Sequence, residues 1–226
     1  TTLGTVTGSS TGGWDGNFNT NLTNWDFIGG LTWNSDDSDY SLGVNSTAGP
    51  AGGSSNSLWA IYSIVGKANW LDDRLHYVIQ HDHGYANNVI TPIGQKNAQW
   101  YGLNQFLTYD LRENLGIGLR AEWFRDQDGF MVSGPDRCAA AVNLRVPGDA
   151  SSQYSYACSS VDMQAYRNLG ASFYALTAGL LYRPLRWITI RPNARYDFAT
   201  ARMYMNSRGD MLDYQFTFST DLIVLF

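Results

Sequence analysis

Tyr214-Gln215-Phe216-Thr217-Phe218-Ser219-Thr220-Asp221-Leu222-Ile223-Val224-Leu225-Phe226 alternates apolar and polar residues almost to its last position. Successive side chains of a strand point to opposite faces. Tyr214, Phe216, Phe218, Leu222, Val224 and Phe226 therefore share one side, and Gln215, Thr217, Ser219 and Asp221 the other. A soluble domain would have to hide that aromatic side under a second sheet. A chain whose final strand ends on an aromatic residue has the usual ending of a transmembrane β-barrel, where lipid covers the apolar face.

The same period of two recurs upstream. Trp25 to Asn34 places Trp25, Phe27, Leu31 and Trp33 against Asp26, Thr32 and Asn34, and Tyr40 to Ser46 places Tyr40, Leu42 and Val44 against Ser41, Gly43 and Asn45. Leu58 to Trp70 sets Tyr62, Ile64, Ala68 and Trp70 opposite Ser63, Lys67 and Asn69; Leu75 to Gly84 sets Leu75, Tyr77 and Ile79 opposite Gln80 and Asp82. Tyr101 to Leu111, Leu115 to Asp128, Gly170 to Tyr182 and Trp187 to Ala199 follow, and Leu3 to Trp14, rich in Gly, Ser and Thr, is a weaker strand needed for the count.

The connections are sorted. Asn34 to Asp39, Leu71 to Arg74, Arg112 to Asn114 and Arg183 to Arg186 read as tight polar turns. Between them lie longer segments: Asp15 to Asn24, Ala48 to Ser57, Tyr85 to Gln99, Gly129 to Leu169, and Arg202 to Asp213. A meander of antiparallel strands puts the two kinds at opposite ends, as in outer-membrane barrels with short periplasmic turns and long external loops. A β-sandwich has no reason to sort them. With Phe226 at the periplasmic end, the 129–169 segment is an external loop of a single domain spanning 1–226.

Composition agrees. The 226 residues contain no run of ~18 apolar residues that could cross a bilayer as a helix. Aromatic residues make up 14% of the chain, with 8 Trp and 14 Tyr, enough for interfacial girdles. Trp33, Tyr40, Trp70, Tyr109, Tyr182 and Trp187 fall at the short-turn ends of strands, and Trp25, Tyr101, Trp123, Tyr174 and Tyr214 at the other ends. A net charge of −5 disfavours nucleic acid as a partner. The chain begins at Thr1 without the basic and apolar regions of a signal peptide, so the expectation is that any such peptide lies upstream or has been removed.

Cys138 and Cys158 lie in one polar stretch. In an oxidising compartment they are expected to form a disulfide closing a loop of about 20 residues, worth ~3 kcal/mol against the unfolded loop. No Cys or His nearby has zinc-ligand spacing. His81 and His83 share a strand face, but at a strand end they read as rim residues rather than metal ligands, and Asp126 and Asp128 lack the spacing of a calcium loop. Neither a metal nor a cofactor is predicted. A nucleophile elbow, a His-Glu-x-x-His helix and a phosphate loop are all missing from the sequence, so enzyme activity is not expected.

Several segments carry a resemblance. Leu75-His76-Tyr77-Val78-Ile79-Gln80-His81-Asp82, Trp100-Tyr101-Gly102-Leu103-Asn104-Gln105-Phe106-Leu107-Thr108-Tyr109 and Leu119-Arg120-Ala121-Glu122-Trp123-Phe124-Arg125-Asp126-Gln127-Asp128-Gly129 resemble the family described as "Putative beta-barrel porin-2, OmpL-like". Ile190-Arg191-Pro192-Asn193-Ala194-Arg195-Tyr196-Asp197 and the closing strand continue the likeness, colinear from about Gly13 onward. The resemblance implies a porin of the outer membrane of a Gram-negative bacterium. Since such proteins are usually longer, it also implies the C-terminal part of a larger barrel.

The expected fold is therefore all-β: a transmembrane antiparallel up-and-down barrel, with about ten strands here and roughly sixteen when complete. The alternation assigns the lumen its lining: Lys67, Asp82, Asn104, Asp110, Arg120, Glu122, Arg191, Asn193, Arg195, Asp197 and Asp221, with Thr108 among them. Arg191 and Arg195 are expected to oppose Glu122 and Asp82 across a transverse field that sets weak ion selectivity. Ten strands would enclose little open space and favour a packed ion-pair network; sixteen would leave an aqueous channel. The expected function is passive diffusion of ions and small hydrophilic solutes, with outer-membrane lipid as the surroundings and a homo-oligomer such as a trimer, or another envelope protein, as possible partners. The alternatives are a structural or surface-display barrel, a sheath around an inserted partner such as a periplasmic electron carrier, and a secreted carbohydrate-binding sandwich.

Overall fold

A computed structural model describes residues 7–9, 26–50, 58–91, 94–132 and 170–225. The described strands are β1 (Thr7–Ser9), β2 (Asp26–Asn34), β3 (Tyr40–Pro50), β4 (Leu58–Trp70), β5 (Leu75–Thr91), β6 (Gly94–Arg112), β7 (Leu115–Asp126), β8 (Ala171–Leu185), β9 (Ile188–Ala199), β10 (Tyr204–Met205), β11 (Met211–Leu212) and β12 (Tyr214–Val224). Ten of them form one sheet in the order β1-β2-β3-β4-β5-β6-β7-β8-β9-β12, and β10 pairs with β11 alone. Every pairing in the large sheet is antiparallel and joins strands adjacent along the meander. The expected all-β up-and-down architecture is present. Among the described residues the sheet is open, with β1 and β12 at its edges.

Register carries the sorting of side chains from strand to strand, because residues directly opposite one another point to the same side. Tyr214, Phe216, Phe218 and Leu222 of β12 stand opposite Phe198, Tyr196, Ala194 and Ile190 of β9. Through β8, Phe198, Tyr196 and Ala194 continue to Tyr174, Leu176 and Ala178, and through β7 to Trp123, Ala121 and Leu119. The apolar series runs on to Val44 and Leu42 of β3 and Leu31 and Trp33 of β2. We call this the outer face. It is left uncovered: Phe216, Phe218 and Leu222 are 66%, 70% and 61% exposed. Ordinarily an apolar surface of this extent does not face water.

Three of the four short turns stand where expected. Ser35 to Asp39 is closed by the Ser35 amide donating to the Tyr40 carbonyl at 2.9 Å. The Leu71–Arg74 turn holds Leu71, Asp72 and Asp73 in succession at positive φ, 58°, 54° and 63°. Arg74 then reaches over the neighbouring hairpin, donating to the carbonyl oxygens of Asp110 at 3.0 Å and Leu111 at 3.3 Å while lying 5.1 Å from the Tyr109 ring centre.

Some expectations need correction. Tyr85 to Gln99 is not a loop: β5 and β6 continue as a paired hairpin, with a register shift between Ala86 and Val89. Backbone pairing needs no alternation of side chains, and the irregularity at Asn87, Asn88 and Asn97 breaks the period of two before the ladder resumes at Val89 and Lys96, so the sequence carries no signature of the extension. In the same way β3 runs on to Pro50 and β8 to Leu185, with a register shift beyond Tyr182 that shortens the expected turn at Arg183 to Arg186. Arg202 to Asp213 carries the small β10–β11 hairpin. The weak strand at Leu3 to Trp14 is described only at Thr7–Ser9. The Asp15 to Asn24 segment, Trp25, residues 133–169 with Cys138 and Cys158, and Phe226 lie outside the described residues.

Candidate functional site: the polar inner face

Opposite the apolar side lies a second, polar face, and the register places all eleven predicted lining residues on it. Asp221, Asn193 and Gly179 lie in the rows of Arg191, Ser219 and Asn193 respectively; Thr217, Arg195, Thr177 and Arg120 form one continuous row, and Gln215, Asp197, Ala175, Glu122 and Asn104 the next. Asp110 stands opposite Gly116, Asp82 opposite Gly102 and Ser63, and Lys67 opposite Ser41 and Val78. Pairing the strands thus gathers residues scattered over 155 positions of sequence, from Lys67 to Asp221, onto one surface.

The charges pair with neighbours on the same wall. The two oxygens of Glu122 meet Arg120 Nη2 and Arg195 Nη1. Arg195 Nε and Nη2 donate to Asp197 Oδ1, each at 2.8 Å, and Asp197 Oδ2 accepts from Gln215 at 3.1 Å. Arg191 grips Asp221 with Nε and Nη2 at 2.7 and 2.9 Å, the planar fork that guanidinium and carboxylate share. Asp82 accepts from Gln80 Nε2 at 3.0 Å. The expected transverse field is therefore corrected. Glu122 stands beside Arg195 rather than across from it, because β7, β8 and β9 are consecutive and one arginine side chain reaches over the intervening Thr177.

The pairs are layered as well as balanced. The Arg120 side chain is 43% exposed and Arg195 35%, whereas their carboxylate partners Glu122 and Asp197 are 15% and 8% exposed. On this face the guanidinium groups stand outside their carboxylate partners. Asp221 is as open as its arginine, so the bias is confined to the β7–β9 part of the face.

Sequence reasoning missed two features of this face. His76 lies on it, with Nε2 3.6 Å from Asp110 and Nδ1 3.0 Å from Asn69. At the end carrying the long connections, Trp59, Trp100 and Phe130 pack edge-on and tilted at 5.1 to 6.2 Å, over the buried Ala86 and Ala98. The signal was there: Trp59 and Trp100 occupy the polar parity of their strands. Phe130 follows β7, so the root of the 129–169 segment turns in over the inner face. Asp126, fully buried, fixes that turn by accepting from the amides of Phe130, Met131 and Val132 at 2.8 to 3.0 Å. The possible calcium ligand is thus engaged with backbone, and Asp128 likewise accepts from the Gln99 amide at 2.9 Å.

His81 and His83 sit on the outer face between Tyr62 and Tyr101, with ring centres 5.4 to 5.9 Å apart. Tyr101 continues to Trp123 at 5.6 Å. The ring contacts and the His81 Nδ1 contact with the Gly102 carbonyl at 2.9 Å make them members of an aromatic belt. Among the described residues no group of three or more His, Cys, Asp or Glu is placed to hold a metal.

An antiparallel meander with an uncovered apolar outer face, aromatic belts and an ion-paired inner face defines the β-barrel class of porins. The chain matches the family described as "Putative beta-barrel porin-2, OmpL-like" over residues 2–226, and it belongs to that family. No match to a curated protein or to a solved structure was found.

Proposed function

We propose that the protein is an outer-membrane porin through which ions and small hydrophilic solutes diffuse passively. One observation carries the reading: the strand register puts eleven polar or charged side chains on one face and leaves aromatic and aliphatic side chains uncovered on the other. Lipid is the surrounding that suits the outer face, and water the one that suits the inner. The short turns then belong on the periplasmic side and the Cys138–Cys158 segment outside the cell, where a disulfide would persist. Since β1 and β12 are antiparallel, closure is possible directly or through further strands inserted in even number.

The test is conductance of the detergent-purified protein in a planar bilayer under a salt gradient, with Arg191→Gln and Arg195→Gln compared. Discrete current steps, with a reversal potential shifted toward cation preference in the variants, are expected. An inserted but silent protein would instead favour a barrel that anchors the envelope or displays its loops.

A further inference from the structure

The polar face, from β5 across to β12, bounds a hollow of about 730 Å³ centred on β7, β8 and β9. Its floor is made by Gly118 and Gly179, which lie directly opposite one another. A Cβ at Gly118 would meet only Thr108 Cγ2 at 3.4 Å and the Leu107 carbonyl at 4.0 Å, so packing does not demand glycine here. The missing side chain leaves room at Gly118, whereas at Gly179 the Asn193 side chain occupies the place a Cβ would take.

The lining around that floor carries four arginines, Arg120, Arg183, Arg191 and Arg195, against the two carboxylates Asp110 and Asp221, an excess of cationic groups. Arg120 stands two residues to one side and Arg191 two rows to the other, roughly 13 Å apart along the strands at ~3.3 Å per residue. Both side chains are long enough to lean in over the glycines. Arg120 is held at Nη2 by Glu122 and covered by the Phe106 ring at 4.8 Å, yet its Nε is buried without a hydrogen-bond partner. A guanidinium carries five N–H donors, so with Nη2 engaged and Nε shielded, Arg120 offers a solute its Nη1, on a side chain 43% exposed. Arg191 gives Nε and Nη2 to Asp221 and keeps Nη1. Thr177 adds a neutral hydroxyl to the lining, while Asn193 spends Nδ2 on the Arg191 carbonyl at 3.0 Å and turns Oδ1 toward Gly179.

We propose that this hollow binds the oxyanion of a small soluble solute, a phosphate or a carboxylate group, held by Arg120 and Arg191 above the glycine floor. The site makes anions the solute class favoured by the pore, and to that extent rests on the porin reading. Binding itself does not. On the β7–β9 side of the hollow a cation meets guanidinium first, since Glu122 lies beneath Arg120 and Arg195; toward β12, Asp221 is as open as Arg191.

The experiment is calorimetric titration of the full chain in detergent with inorganic phosphate and, separately, gluconate, alongside bilayer recordings with the same salts. Saturable binding of at least one is expected, weakened at least tenfold by Arg120→Gln and by Gly118→Val, which fills the hollow without changing charge. Arg208→Gln, which removes the same charge from the distant β10–β11 connection, should bind as the unmodified chain does. Phosphate without gluconate, or the reverse, identifies which oxyanion the site takes. Absence of saturable heat, or equal weakening in Arg208→Gln, overturns the site. Should Arg120→Gln fail to fold, undiminished binding by Gly118→Val overturns it. Open channels without anion binding would remove the site and leave the porin; anion binding by a silent protein would do the opposite.

Discussion

Asp126 shows how much one carboxylate can organise. It is fully buried and accepts from three successive amides, turning the chain inward just where β7 ends. Hydrogen bonds to a charged acceptor are each worth about 1.5 to 3 kcal/mol, and their loss strands buried donors. Asp126→Ala is expected to lower stability by ~2 to 4 kcal/mol and to expose Phe130 to proteolysis, measurable by urea unfolding in detergent and by limited digestion. The Leu71–Arg74 turn offers the opposite case. A non-glycine residue in the left-handed region carries strain of about 1 kcal/mol, which glycine avoids. Asp72 has φ 54°, so Asp72→Gly should stabilise by roughly that amount in the same unfolding assay.

At the next scale, β12 displays both environments in one strand. If its outer face meets lipid, Phe218→Arg is unfavourable by ~2 to 4 kcal/mol near mid-bilayer, whereas Ser219→Arg, one residue on and facing the other way, is tolerated. Folding yield into vesicles measures both; equal effects would argue against the sidedness. The Ser35–Asp39 turn carries a pH dependence. The Asp37 carboxyl is held below the usual aspartate value, first by the Ser35 hydroxyl and then by the Asp39 amide at 3.1 Å. A depressed folded value means the contribution is complete above 3.8 and fades as pH falls below it toward the folded value. The stability difference between Asp37→Asn and the unmodified chain should therefore shrink on acidification through that range, as read by unfolding at stepped pH. The strands were legible because the sequence alternates, and so were their faces: the eleven residues expected to line a lumen share the polar face of the sheet. What alternation cannot register is pairing beyond the apolar belt. The β5–β6 hairpin continues past Asn87, Asn88 and Asn97, which form an irregularity bridged by the Asn88 amide donating to Asn97 Oδ1 at 3.4 Å, before pairing resumes at Val89 and Lys96. Nor does parity tell which charges meet: Arg195 finds Glu122 two strands away because Thr177 between them is short.

For the molecule as a whole, the edges matter most. An uncovered strand edge cannot persist in lipid, since each unpaired backbone group there is unfavourable by several kcal/mol. Half the amides of β12 bond to β9 and the rest point to its other edge. In the detergent-purified protein, those edge amides should exchange as slowly as the ones bonded to β9; fast exchange would mean that the sheet stays open as a membrane protein.

Because each strand of the sheet pairs with its neighbour along the meander, the contacts are local in sequence and hairpins can be added one at a time. A pairing that joins β12 back to β1 is of another kind, bridging about 200 residues rather than the ~25 of a hairpin. The added chain entropy of ring closure is modest, about 2 kcal/mol for that eightfold difference. If β12 closes onto β1, that entropy falls on one event, and the step at which the ribbon becomes a ring is expected to commit the assembly.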